Sequence, residues 1–239
     1  MNDGIAMRVA LVGNPNSGKT ALFNALTGAR QKVANYPGVT VERKAGMATT
    51  PQGRRVTILD LPGTYSLRAR SPDEVVTRDV VLGRFAGEET PDVLVCVADA
   101  TNLRLVLRLA LELKRVGRPT MLALNMYDIA ERQGIRIDIE GLSRALQMPI
   151  VTTVAVRKRG LDALLREVDA LSSSEAAAAS AWHEPSAAEI RQAHRDAEQI
   201  MRDFVKPPLR PDTWTGRLDS VLLHPVAGTL ILLAVLFLM

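Results

Sequence analysis

Cysteine is nearly absent from this sequence. It occurs once, at Cys96, so no disulfide forms within the chain, and the usage suits a reducing compartment. Cys96 lies in an apolar run and reads as a small core residue. With three histidines and one cysteine, no cluster with metal-ligand spacing occurs. Aromatic residues make up 4% of the chain, which argues against a base-stacking surface. No charge of one sign dominates either: 30 Lys and Arg stand against 26 Asp and Glu. The basic residues are scattered, so no nucleic-acid partner is expected. A signal peptide is not expected at the start, because the first apolar run is short and belongs to a strand.

What is present begins at Gly13-Asn14-Pro15-Asn16-Ser17-Gly18-Lys19-Thr20. This matches the phosphate-loop spacing G-x-x-x-x-G-K-[ST], between an apolar strand (Val9 to Val12) and a helical run from Ala21. Backbone N–H groups of such a loop cradle phosphates at a helix N-terminus. Lys19 is expected to neutralise the outer phosphates and Thr20 to give its hydroxyl to Mg²⁺. Asn14, Ser17 and Ala21 complete the predicted phosphate-binding set.

Apolar runs and amphipathic stretches alternate through residue 171. The expected fold is α/β, a P-loop GTPase fold with a mainly parallel six-stranded sheet flanked by helices and one antiparallel edge hairpin around Pro51-Gln52-Gly53. Residues 30 to 43 read as a long loop holding Pro37-Gly38. Ser71 to Glu74 reads as a capping box opening a helix. A Ser/Ala-rich stretch from Ser172 to Ser180 marks a boundary. We expect a nucleotide domain over residues 1–172 and a small all-α domain over 173–220, with a helix opened by Ser186 to Glu189. That helix needs a partner for its apolar stripe, either residues 212–223 or the first domain. Residues 221–239 carry no charged side chain. They read as the start of a transmembrane segment, which makes the chain a piece of a larger membrane protein. Lys206, Arg210 and Arg217 precede it and favour a cytoplasmic N-terminal part.

Three further motifs fall at predicted strand ends, where open α/β sheets bind ligands. Asp60-Leu61-Pro62-Gly63 supplies a carboxylate for Mg²⁺ and an N–H, at Gly63, for a γ-phosphate. Asn125-Met126-Tyr127-Asp128 is the guanine-recognition pattern N-K-x-D with Met in place of Lys. Asp128 accepts from the two donors on guanine's edge, a pair adenine lacks. Asn125 ties this loop to the phosphate loop, and Met126 covers the base with its stem. Val154-Ala155-Val156 follows the last strand and is expected to contact the guanine oxygen; the usual Ser-Ala is Val-Ala here. In the loop before Asp60, Thr40 is the candidate for reaching Mg²⁺ and the γ-phosphate in the triphosphate state. Thr64 follows Gly63, where a water-positioning Gln is common, and is too short for that task. Hydrolysis then rests on the backbone, another side chain, a partner or an ion. The Asn16 oxygen is placed either to ligate a monovalent cation or to stabilise its own loop. The catalytic candidates are Lys19, Thr40, Asn16 and Gly63.

Taken together, the phosphate loop, Asn35 to Glu42, Asp60 to Ser66, Asp99-Ala100-Thr101-Asn102-Leu103 and Asn125 to Asp128 closely resemble the N-terminal region of the bacterial ferrous iron transport protein B family. The resemblance is specific from about Arg8 to Gly160 and weaker beyond. It implies a cytoplasmic GTPase domain at the bacterial inner membrane, a helical domain that raises affinity for GDP, and a membrane part that moves Fe²⁺. It also implies slow GTP hydrolysis stimulated by K⁺, with Asn16 and the carbonyls of Ala34 and Tyr36 around the ion. Family members often have Gly and Trp where Ala34 and Tyr36 stand. The cofactors implied are GTP/GDP, Mg²⁺ and K⁺. The partners are guanine nucleotide, the membrane, a small accessory protein of the iron uptake system and a second copy of the chain. Two other readings stay open: a soluble GTPase of ribosome or tRNA maturation, and a nucleotide-state switch with little turnover.

Overall fold

The computed structural model describes residues 7–28, 31–172, 182–207, 222–224 and 227–238. Nine strands are described: β1 (Met7–Gly13), β2 (Gln31–Asn35), β3 (Glu42–Thr49), β4 (Arg55–Asp60), β5 (Val93–Asp99), β6 (Thr120–Asn125), β7 (Arg136–Ile137), β8 (Ile150–Thr152) and β9 (Val205–Lys206). The helices are α1 (Lys19–Thr27), α2 (Pro72–Val81), α3 (Arg104–Lys114), α4 (Tyr127–Arg132), α5 (Ile139–Leu146), α6 (Leu161–Ser172), α7 (Ala187–Phe204) and α8 (Ala227–Leu238).

Seven strands form one sheet in the order β2-β3-β4-β1-β5-β6-β8. Strands β4, β1, β5, β6 and β8 are parallel, and β2 and β3 are antiparallel to their neighbours. The central parallel strands β1, β5 and β6 carry unbroken apolar runs in their middles because helices cover both faces. Alternate residues feed opposite layers. Val9 and Leu11 of β1 join Val95 and Val97 of β5 under α1 and α6, where Leu22, Phe23, Leu164 and Val168 complete the layer. Ala10 and Val12 join Leu94 and Cys96 under α3, against Val106, Leu107, Ala110 and Leu113. Cys96 is fully buried, and burial pushes its thiol pKa up to about 12, which keeps it inert.

The registers Leu11↔Asp60, Gly13↔Val97 and Asp99↔Asn125 bring the carboxyl ends of β4, β1, β5 and β6 to one edge. The phosphate loop, Asp60 to Gly63, Asp99 to Leu103 and Asn125 to Asp128 therefore leave the sheet on the same side.

The sheet has one strand more than the six expected. The addition is β2, where a loop was predicted. All five of its residues are exposed. It is an edge strand held by backbone pairing to β3 with no buried face, so no alternation of apolar residues marks it. The expected hairpin is β3–β4. Ser71 caps α2 by accepting from the Glu74 N–H. The capping box is not closed on the cap residue, because the Glu74 carboxylate accepts from Arg70 N–H instead, at 2.9 Å.

Helix α7 opens with a complete capping box between Ser186 and Glu189. Its apolar stripe packs on the first domain, against α3 and α5, with Ala193 and Ala197 buried. Phe204 meets α5 at Gly141, where an added Cβ would strike the ring. The chain then pairs β9 with β7.

Two compact units divide at Lys206–Pro207. The boundary expected after residue 172 lies outside the described residues. In the second unit, Ala227 N–H donates to His224 Nδ1 at the start of α8. That helix has 12 residues, and no helix among the described residues is long and apolar enough to cross a membrane. Residues 221, 225, 226 and 239 of the expected segment lie outside the described set.

Candidate functional site

The phosphate loop turns between β1 and α1 through two left-handed residues, Asn16 and Gly18. At Gly18 a Cβ would collide with the Asn125 amide, so only glycine lets these two loops meet. A cavity of about 420 Å³ opens over the loop. Asn14, Asn16, Gly18, Lys19, Thr20, Ala21 and Gly63, all predicted, line it. Pro15 and Asp73 line it as well and were not anticipated. Asp73 lies in the first turn of α2, and nothing in its local sequence separates a helix-start carboxylate from a site residue. Gly13 and Ser17 build the loop from below: Gly13 O accepts from Thr64 N–H at 3.0 Å, and Ser17 is buried.

Lys19 forms a buried ion pair with Asp60, and Thr20 Oγ1 donates to Asp60 Oδ2 at 2.8 Å. A hydroxyl and a carboxylate, both hard oxygen donors, thus converge beside the phosphate cavity. That donor set fits Mg²⁺, and the lysine cation stands where the carboxylate would face a positive charge. Gly63 packs against Pro15, close enough that a Cβ would lie 3.0 Å from its ring and nitrogen.

Asn125 is the keystone. It is 2% exposed. Its Nδ2 donates to Ser17 O at 3.2 Å, and its Oδ1 accepts from Ala155 N–H at 3.1 Å. One side chain therefore ties the phosphate loop to the loop after β8. Met126, at φ 57°, brings its methyl group against Gly18, covering the loop with an apolar stem. Asp128, in the first turn of α4, faces Arg132 at 3.2 Å and Arg157 at 3.6 Å. Arg157 was not anticipated; it follows the predicted Val154-Ala155-Val156 stretch, but no spacing rule marks it. Val154 and Ala155 are buried, while Val156 is 84% exposed.

The predicted switch residues stand apart. Thr40 is exposed, and neither it nor Ala34 nor Tyr36 lines the phosphate cavity. Ala34 lies in β2 opposite Arg43. Tyr36 O accepts from Val39 N–H at 3.2 Å, and Tyr36 N–H donates to Val41 O. The Tyr36 ring is 1% exposed and sits edge-on to Phe85, with centroids 5.2 Å apart. Burial, reinforced by the Glu88 carboxylate, raises its pKa. Of the three residues expected around K⁺, Asn16 lines the phosphate cavity, and Ala34 and Tyr36 do not.

The family model described as ferrous iron transport protein B matches residues 7–168. The chain belongs to the ferrous iron transport protein B family. It is 41% identical over 210 residues to the Fe(2+) transporter FeoB of Shigella flexneri, and 40% identical to that of Escherichia coli K12. Those alignments cover 88% of this chain and 26% of each relative, so the chain spans about a quarter of their length. Among solved structures, the cytosolic domain of T. maritima FeoB in a GDP form superposes with TM-score 0.75 at 28% identity, covering 84% of this chain and 99% of that one. A GMPPNP form of the same domain gives 0.74. The cytosolic domain of L. pneumophila FeoB gives 0.70 at 31% identity, covering 84% of this chain and all of that one. The α/β P-loop GTPase-like fold with helices flanking a mostly parallel sheet is common to this FeoB-family chain and these structures.

Proposed function

We propose that this chain is the nucleotide-binding, GTP-hydrolysing part of a bacterial inner-membrane ferrous iron transporter, lying on the cytoplasmic side. The observation that carries the reading is Asn125, which joins the phosphate loop to the base loop through two buried hydrogen bonds. A pre-joined pair of loops of this kind holds both ends of a guanine nucleotide. Asp128 is the base-selecting carboxylate, because an adenine edge leaves it unpaired. The related cytosolic domains solved with GDP and GMPPNP are consistent with that ligand.

Lys19 leaves Asp60 to meet phosphate, and Gly63 presents its N–H to the outer phosphate. Thr20 and Asp60 would hold Mg²⁺, and Thr40 would join them when residues 36–41 close. When bound, the metal neutralises charge on the phosphates. The Thr64 hydroxyl is buried and donates to Ser66 O at 2.6 Å, so it orients no water. Hydrolysis is accordingly slow; Asn16 would hold a K⁺ ion whose charge would speed it, with the carbonyls of Ala34 and Tyr36 joining only after their segment moves. Helix α7 communicates nucleotide state from α3 toward the membrane part, whose first segment begins within residues 221–239. An accessory protein and self-association belong to the same reading.

Calorimetric titration with GDP and ADP in Mg²⁺, followed by turnover measured in potassium and in sodium, tests this. GDP is expected to bind at least about a hundredfold more tightly than ADP, with faster hydrolysis in potassium. Equal affinity for the two nucleotides overturns the base assignment, and equal rates in the two salts overturn the ion assignment.

A further inference from the structure

Glu112 is a charged residue on the buried side of α3, and the site described above does not use it. It is 6% exposed. Its Oε2 accepts from Leu67 N–H at 2.7 Å and from Ser66 Oγ at 2.8 Å. Arg108 Nε lies 3.2 Å from Oε1 yet makes no aligned hydrogen bond, so it balances the charge without steering the carboxylate. A buried carboxylate is costly unless its lone pairs are filled, and here they are filled by the loop that follows Gly63.

That loop is fastened at several places, the 3.3 Å bond from the Thr64 hydroxyl to Glu74 Oε1 among them. Thr77 Oγ1 donates to Pro62 O at 2.8 Å, Thr64 N–H donates to Gly13 O at 3.0 Å, and Glu112 takes the far end. Of these, only the Glu112 attachment reaches α3, the helix that also carries α7. We propose that Glu112 is a positioning residue for GTP hydrolysis: it fixes the Gly63–Leu67 loop so that the Gly63 N–H comes to the outer phosphate in register. This inference rests on the hydrolysis reading above. Without the carboxylate, Leu67 N–H and the Ser66 hydroxyl lose their acceptor and the loop loses its distal anchor. The phosphate loop and base loop keep all their own bonds.

The test compares the full chain with Glu112→Ala and Glu112→Gln, measuring GTP turnover, GDP affinity and exchange of the Leu67 amide. Glu112→Ala is expected to lower kcat about tenfold or more, since small misplacement of a reacting group is expensive. KM and GDP affinity stay within about threefold, because ground-state contacts are untouched. The Leu67 amide exchanges faster. Glu112→Gln keeps an acceptor for Leu67 N–H and restores kcat to within about threefold. A folded Glu112→Ala chain with the parent's kcat overturns the proposal, as does a Gln variant as poor as the Ala variant. If Glu112→Ala does not fold, Ser66→Ala removes the hydroxyl alone: a severalfold fall in kcat at constant GDP affinity supports the role, and an unchanged kcat overturns it. A parent chain that turns over no GTP instead overturns the underlying hydrolysis reading, an outcome distinct from a turning-over parent matched by its variant.

Discussion

Two stretches that the proposed function brings to one nucleotide are held in opposite ways. The phosphate and base loops are fastened from within, by Asn125 buried between them and by the Thr64–Gly13 bond. The stretch from Gln31 to Val41 is an edge strand and turn, exposed except for Tyr36, whose ring meets Phe85, and Val41, which is buried at its end. The difference teaches which parts are built before ligand arrives and which wait for it. On the proposed reading, the loops that recognise the base and grip phosphate are pre-organised, so little ordering free energy is lost on binding. On the same reading, the segment that senses the outer phosphate needs two positions separated by little energy, and beyond the backbone pairing of β2 to β3 its buried side chains are Tyr36 and Val41 alone among residues 31–41.

The largest expected effect comes from breaking the inner half. Asn125→Ala removes the acceptor of Ala155 N–H and the donor to Ser17 O, both buried. Each stranded group costs about 1–3 kcal/mol, and the two loops lose their common tie. GDP affinity is expected to fall about a hundredfold or more, with a lowered thermal midpoint, by calorimetry and thermal denaturation on the same sample. Affinity within a few-fold of the parent would mean the loops are held by something other than this side chain.

Next comes the outer half. Tyr36→Ala empties a buried aromatic site and is expected to cost about 3 kcal/mol of stability, yet to leave GDP affinity nearly unchanged, because Tyr36 does not line the phosphate cavity. Tyr36→Phe sharpens the comparison. The Tyr36 hydroxyl is buried without a hydrogen-bond partner among the described residues, so its removal is expected to be neutral or stabilising by about 1 kcal/mol. Denaturant melts of the three chains decide whether the ring or the hydroxyl does the anchoring.

The same contrast explains what was legible in the sequence. The phosphate loop, Asp60-Leu61-Pro62-Gly63 and Asn125 to Asp128 each declare themselves, because backbone and metal chemistry demand fixed residue types at fixed spacing. The buried strands β1, β5 and β6 are legible because two-sided burial enforces unbroken apolar runs. Strand β2 left no such mark: its pairing is made by backbone groups that every sequence has. Glu112 and Arg157 were illegible for another reason. Their partners, Ser66 and Asp128, lie 46 and 29 residues away, and only the fold brings them together. The capping motifs divide on the same principle. Ser71 was readable as a cap, but the Glu74 carboxylate went to Arg70, a choice set by the path of the preceding loop.

The smallest effect lies outside both halves and serves as their control. Ser186 N–H and Oγ both donate to Glu189 Oε2 at 2.8 Å, with His183 Nε2 at 3.4 Å and Arg115 at 3.7 Å from its carboxylate. The Ser186 bonds chiefly, and His183 next, lower the Glu189 pKa from 4.5 to about 2. A carboxyl more acidic in the fold than in the unfolded chain stabilises when ionised. Its contribution is therefore complete above about pH 4.5 and is lost as pH falls toward 2. Over that window the first turn of α7 is expected to loosen, seen as faster exchange of the Ser186 amide, and Glu189→Gln should flatten the response. Because the cap touches neither the Asn125 tie nor the Tyr36 ring, the Ala155 amide should keep its protection while that of Ser186 declines. Parallel loss at both amides would show that the capped end of α7 and the nucleotide loops open as one unit, and the separation between held and releasable parts would then have to be drawn elsewhere.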